Sequence, residues 1–274
     1  MNRAPTLVTQ FLIAILEALG LQILVLFGLF FFLGFILTIL QEQTARNYYR
    51  SIGWNGILWT AWIGTPVHEL SHMLFAILFR HHVVSVKLFA PNRETGELGE
   101  VQHSYLPSSA YQSAGNFFIG AAPLIGGSCV LALLAYLVLP QSGASLEPLV
   151  ANVTSLPQIL EGSWTLLKQI FTPQNVVSWQ FWLCLYLSFC ISSHLAPSKV
   201  DRRQMWHGFG WLIVVLILFN LVGALFQYNS TQLIFQAAGY LSILTALLVY
   251  ASLVSLCHFL LSWVVLRPLR RRSS

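Results

Sequence analysis

Six stretches of this chain, about 19–40, 54–79, 116–139, 177–195, 207–226 and 236–265, are apolar over lengths near the ~20 residues that carry a helix across a bilayer. Hydrocarbon offers no partner to a backbone N–H or C=O, so a spanning segment must close its hydrogen bonds internally, as helix or closed barrel. Runs of this length and near-continuous apolarity select helix. Only 8% of the 274 residues are charged, 56% are hydrophobic and the mean hydropathy is +0.70, far from an average soluble domain. The expected fold is an all-α polytopic membrane protein of about six transmembrane helices. It forms a single membrane domain over 1–274, with lipid as its surrounding partner.

The first apolar run, Phe11 to Leu40, would be about 45 Å long as one helix, longer than the ~30 Å hydrocarbon core. Glu17 and Gln22 fall in its first half, so 5–18 reads as interfacial and 19–40 as spanning. No small-residue cleavage site follows a short apolar core, which reads as an uncleaved anchor.

Orientation follows the basic residues. With both termini cytoplasmic, the inner side holds Arg3, Arg80, Lys87, Arg93, Lys199, Arg202, Arg203, Arg267 and Arg270 to Arg272, while Arg46, Arg50 and Lys168 lie outside. The net charge of +5 is largely this bias, so a nucleic-acid partner is not expected. The protein is expected in a bacterial cell membrane. Cys129, Cys184, Cys190 and Cys257 all sit in or beside apolar spans without a CxxC pair, and they read as small buried hydrophobes. The non-cytoplasmic loop 140–176 carries apolar spacing over Leu156–Phe171 that suggests an interfacial helix.

Inside the second span stands His68-Glu69-Leu70-Ser71-His72. Histidines at i and i+4 share one helix face, so two imidazoles can bind one zinc ion, and Glu69 lies about 100° round the helix, within reach of water at the metal. From Ser51 to Phe79 there is no Lys, Arg or Asp, and Glu69 is the one carboxylate. Placing a charge there costs ~2.5–3.5 kcal/mol on insertion scales, which a metal and a water-filled cavity would offset. Catalytic zinc usually takes three protein ligands and one open position. The single aspartate, Asp201, follows the fourth span, which ends on the same side as the second. It can serve as the third ligand or as a plain N-cap of the fifth span's helix. His194 competes with it for the ligand role.

With these residues in view, the chain resembles the site-2 protease family of intramembrane zinc metalloproteases. The features are H-E-L-S-H in the second of six spans, a short polar insert after it, a Gly/Pro-rich helix start and an aspartate after the fourth span. The likeness covers roughly 54–210, the expected catalytic core. It implies His68 and His72 as zinc ligands, Glu69 as catalytic base and Asp201 as third ligand. The family's third-ligand motif usually ends in Asp-Gly, whereas Arg202 follows Asp201 here, and there is no room for the PDZ or CBS domain that many relatives carry.

Residues 83–105 read on their own as two short strands around an Asn/Gly-rich turn, a small β-hairpin insert. The resemblance puts such a sheet near the active site, where its edge can pair with extended substrate backbone. His81, His82 and His103 read as solvated surface residues, with His103 able to face the site. Asn116 to Gly127 opens the third span with glycines suited to close helix packing, and Pro123 allows a local break. The resulting expectation is a Zn2+ endopeptidase, a hydrolase acting in regulated intramembrane proteolysis. It would cut a membrane-protein substrate in or near a transmembrane helix, with water entering from the cytoplasmic side. The alternatives are metal or proton transport through the same cluster, and a catalytically silent helix-binding scaffold.

Overall fold

The computed structural model describes residues 7–138 and 170–269, with the single positions 157, 161, 164, 165 and 168 between them. The protein is mostly helical (80%). Helix α1 (Leu7–Ile23) runs through a π-helical turn (Leu24–Gly28) into α2 (Leu29–Ser51). Then come α3 (Trp54–Leu78), strands β1 (His82–Lys87) and β2 (Glu100–Ser104), and α4 (Ala110–Val138). After these follow the short α5 (Pro173–Val176), α6 (Trp179–Ser192), α7 (Lys199–Leu225) and α8 (Ser230–Leu266). The expected interfacial helix of the 140–176 loop lies mostly outside the described residues.

Four helical stretches are long and apolar enough to cross a membrane: Thr9–Ser51, Ala110–Leu137, Lys199–Leu225 and Ile243–Leu269. At 25 residues α3 has the length, and the His-Glu-His motif lowers its apolarity. Fourteen-residue α6 spans only about 21 Å, less than the hydrocarbon core, so it stops short.

The stretch expected to be interfacial, 5–18, is from Leu7 onward continuous with the helix that follows: α1 runs on to Ile23 without a proline and pairs its Gln22. Gln22 and Asn220 of α7 exchange side-chain hydrogen bonds of 2.9 and 2.7 Å, so a glutamine in an apolar run is satisfied across helices and not at the interface.

Helix α4 is the hub, packing on α3, α6, α7 and α8, and α2 lies along α8. Leu124, Leu131, Phe181, Leu195 and Tyr250 fill the space between them, and a second cluster wraps Phe27, Phe31 and Phe209 round Phe117. Contact is close because side chains are missing where backbones meet: a Cβ on Gly208 would stand 2.0 Å from the Phe117 nitrogen.

The strands form the expected hairpin. They pair antiparallel from His82↔Ser104 to Lys87↔Glu100, with a bulge between Val83 and Ser85. At the turn Asn92 Oδ1 accepts the Glu94 N–H (2.9 Å), and Gly96 takes φ 78°, where a side chain would be strained. All four cysteines are unpaired; Cys184 and Cys190 are buried as expected, whereas Cys129 is exposed on the outer face of α4.

Candidate metal centre

Helical spacing puts His68 and His72 on one face of α3, and their Nε2 atoms stand 3.1 Å apart. The α6–α7 loop, 193–198, brings up the third group. Asp201 Oδ2 lies 3.5 Å from His68 Nε2 and Oδ1 lies 3.3 Å from His72 Nε2. These side chains are nearly enclosed, at 13%, 7% and 13% exposure for His68, His72 and Asp201. Among the described residues they are the one cluster of three or more His, Cys, Asp or Glu able to hold a metal ion.

The ring orientations are fixed from behind. His68 Nδ1 lies 2.6 Å from the His194 carbonyl and His72 Nδ1 lies 2.8 Å from the Ile119 carbonyl. A carbonyl only accepts, so both Nδ1 atoms carry the proton and both Nε2 atoms of the neutral rings present lone pairs inward. Two lone pairs and a carboxylate facing one another at 3.1–3.5 Å repel unless a positive charge, a proton on an imidazole or a metal ion, stands among them. Ligand atoms at 2.0–2.1 Å from a tetrahedral ion are about 3.3 Å apart, close to the 3.1 Å between the two Nε2 atoms, and one ligand atom from each of the three residues lies within 4.8 Å of the others. The donor set therefore fits a small divalent metal, with each imidazole backed by a carbonyl as metal-binding histidines usually are.

Asp201 belongs to the group that could hold a metal ion, and it is not the N-cap itself but the third residue of the helix that Ser198 caps. Ser198 Oγ accepts the Asp201 N–H (3.2 Å) and Asp201 Oδ2 accepts the Ser198 N–H (2.7 Å), a capping box at the start of α7. The cap holds the carboxylate in place while its outer face meets the imidazoles. His194 is not a ligand: its Nδ1 lies 3.1 Å from the Cys190 carbonyl and its contribution is its own backbone oxygen.

Glycines let this loop sink between the helices. A Cβ on Gly64 of α3 would stand 2.2 Å from the Cys190 carbonyl and 2.5 Å from His194 Nδ1, and one on Gly120 of α4 would stand 2.5 Å from the Asp201 carbonyl. From outside, Gln41 of α2 accepts the Ala196 N–H (2.8 Å), and Arg202 donates to the Pro197 carbonyl (2.8 Å).

Glu69 is buried beside the cluster and accepts no hydrogen bond from any described residue. Thr65, one turn earlier, is buried with its hydroxyl likewise unpartnered among the described residues. The base of the hairpin closes over both, since a Cβ on Gly99 would lie 2.8 Å from Glu69 Cγ and from Thr65 Cγ2. A buried carboxylate without a donor among the described residues can take a proton from water, and water reaching it would also satisfy Thr65.

Two groups of residues escaped the sequence. His81 is buried and not a solvated surface residue: it donates from Nε2 to the Gln112 carbonyl (2.9 Å) and accepts His103 Nδ1–H at its own Nδ1 (2.9 Å). His103 Nε2 then accepts Gln204 (2.8 Å), whose amide also donates to Asn116 Oδ1 (2.9 Å). His103 thus ties the hairpin to α7 one turn beyond Asp201. Burial holds both imidazoles below the ordinary histidine range, and at His103 its neighbour His81 adds to this. Only His82 is exposed as expected. The second group centres on His258 of α8, which is buried and stacked on Phe189 at 4.6 Å. Ser193 Oγ–H donates to the Phe189 carbonyl (2.6 Å), so His258 Nδ1–H donates to Ser193 Oγ (2.9 Å) and Nε2 accepts Tyr48 O–H (3.0 Å). An ionisable residue inside an apolar span was the available signal for it.

The chain matches no protein-family model, no curated protein and no solved structure.

Proposed function

We propose that this protein is an intramembrane zinc metalloprotease of the site-2 protease kind, hydrolysing a peptide bond in or near a transmembrane segment of another membrane protein. One observation carries the reading: two Nε2 lone pairs and the Asp201 carboxylate converge at 3.1–3.5 Å next to a buried Glu69 that no donor among the described residues satisfies. His68, His72 and Asp201 would hold Zn2+, and Glu69 would be the catalytic base.

When bound, zinc supplies Lewis-acid chemistry, lowering the pKa of water to about 7 and polarising a scissile carbonyl. The chain does the rest. The His194 and Ile119 carbonyls keep both imidazoles in one tautomer, and the capping box keeps Asp201 aimed. Glu69 Oε takes the proton of the attacking water and returns it to the departing amine nitrogen. Thr65 and the hairpin base enclose that carboxylate, and the edge of β1 or β2 offers backbone pairing to an unwound substrate. Helix α3, and α6 together with the residues that flank it, would complete six spans, with both termini cytoplasmic and water reaching the site from the cytoplasmic side. The short α6 supports a site set below the membrane surface, because at about 21 Å it is shorter than the hydrocarbon core and leads straight into the 193–198 loop at the metal centre.

The test is reconstitution in lipid with zinc and a helical membrane substrate. Cleavage that chelation abolishes, zinc restores and Asp201→Ala eliminates bears the reading out. Zinc binding with no cleavage of any membrane helix would favour transport, and no metal at all would favour a scaffold.

A further inference from the structure

The acceptor of His72 lies in the middle of a helix, where a carbonyl ordinarily has no capacity to spare. In α4 the Ile119 C=O should accept the N–H of residue 123. Residue 123 is proline, which has no N–H. The carbonyl that His72 Nδ1 reaches at 2.8 Å is therefore the one that Pro123 leaves free. On the other side of the site, His68 uses the same device at a helix end: the His194 carbonyl lies just past α6, where carbonyls lack helical partners.

Resting on the metal-centre reading above, we infer that Pro123 is a positioning residue of that centre. By withholding a backbone N–H from Ile119 it reserves a full-strength acceptor for His72 Nδ1–H, which fixes the tautomer and aims Nε2 at the metal. Among the described residues the Ile119 carbonyl is the one hydrogen-bond acceptor of His72 Nδ1, and both residues are buried. A proline inside a buried helix costs that helix stability, and the return is at the site.

The inference predicts opposite signs for two measurements on one variant. Pro123→Ala supplies an N–H that competes for the Ile119 carbonyl. Thermal stability of the detergent-solubilised full chain should stay level or rise, while zinc affinity by competition with a chromophoric chelator falls about 10-fold, within the range for lost outer-sphere partners. The His72 Nδ1–H resonance in 15N-histidine spectra should shift with it. Replacing residue 123 by lactic acid, which has alanine's side chain but an ester in place of the N–H, should restore zinc affinity to within about 2-fold of wild type. Restored affinity in the ester separates the missing N–H from any effect of the proline ring on helix shape. Unchanged affinity in Pro123→Ala, or an ester that binds as poorly as alanine, overturns the inference. If the wild-type chain itself binds no zinc, the metal-centre reading fails instead.

Discussion

Gly64→Ala is the perturbation whose size can be worked most directly from the packing. The added methyl would stand 2.2 Å from the Cys190 carbonyl oxygen, where ordinary contact begins at 3.4 Å, so α6 and α3 must part by the difference, roughly 1.2 Å. The obstructing atom is backbone, and His194 Nδ1 at 2.5 Å closes the other direction of escape. A shift of that size carries the His68 Nδ1 to His194 carbonyl distance from 2.6 Å to roughly 3.8 Å, beyond hydrogen bonding. Overpacking should lower stability by about 1–3 kcal/mol. Loss of the carbonyl behind His68 should weaken zinc binding about 10- to 100-fold, or about 1.4–2.7 kcal/mol. Chelator competition measures the second effect and thermal unfolding the first. Gly210→Ala, which places its methyl in open space on α7, is the control and should leave zinc affinity unchanged and stability level or higher by up to about 1 kcal/mol. Wild-type zinc affinity in Gly64→Ala would refute the reasoning, since the loop would then not be held by that contact.

Other outcomes follow from the supporting residues. His258→Phe keeps the stack on Phe189 but strands the Tyr48 hydroxyl and frees Ser193, so stability should fall by about 1–3 kcal/mol and zinc affinity a few-fold; equal values in both assays would remove His258 from the site's support. The His81–His103 pair should make hairpin docking pH-dependent. Both pKa values are depressed by burial, so their contribution is complete above the ordinary histidine value of 6.5 and is lost as pH falls below it. Hydrogen-exchange protection across 82–104, corrected for the intrinsic pH dependence of exchange, should fall as pH drops from about 7.5 to about 5.5, and His103→Asn should reduce that dependence. Gln204→Leu, which cuts the link from His103 to α7, should loosen the hairpin at every pH.

What the sequence yields and what it withholds divide along local and distant information. The histidine pair is legible because i, i+4 spacing places two side chains on one face whatever surrounds the helix. The hairpin is legible from its alternation and its Asn/Gly turn. Asp201 is legible as a candidate only: its capping role is local, from Ser198 three residues before, but its approach to His72 depends on glycines in α3 and α4. The carbonyls that aim the imidazoles are 126 and 47 residues away in the chain and bear no side-chain signature. His81 was misjudged because exposure of a short connection depends on what folds over it, here His103 and Tyr105. Gln22, a polar residue inside the first span, is paired with Asn220, 198 residues on.

The central claim, that this cluster is a zinc centre with Glu69 as its base, is tested most directly by Glu69→Gln, which keeps the side chain's shape and removes its basicity. Zinc content and cleavage of a reconstituted membrane-helix substrate are measured on the same preparation. The account predicts zinc bound as in wild type and cleavage lost. Cleavage at the wild-type rate with zinc in place would contradict it.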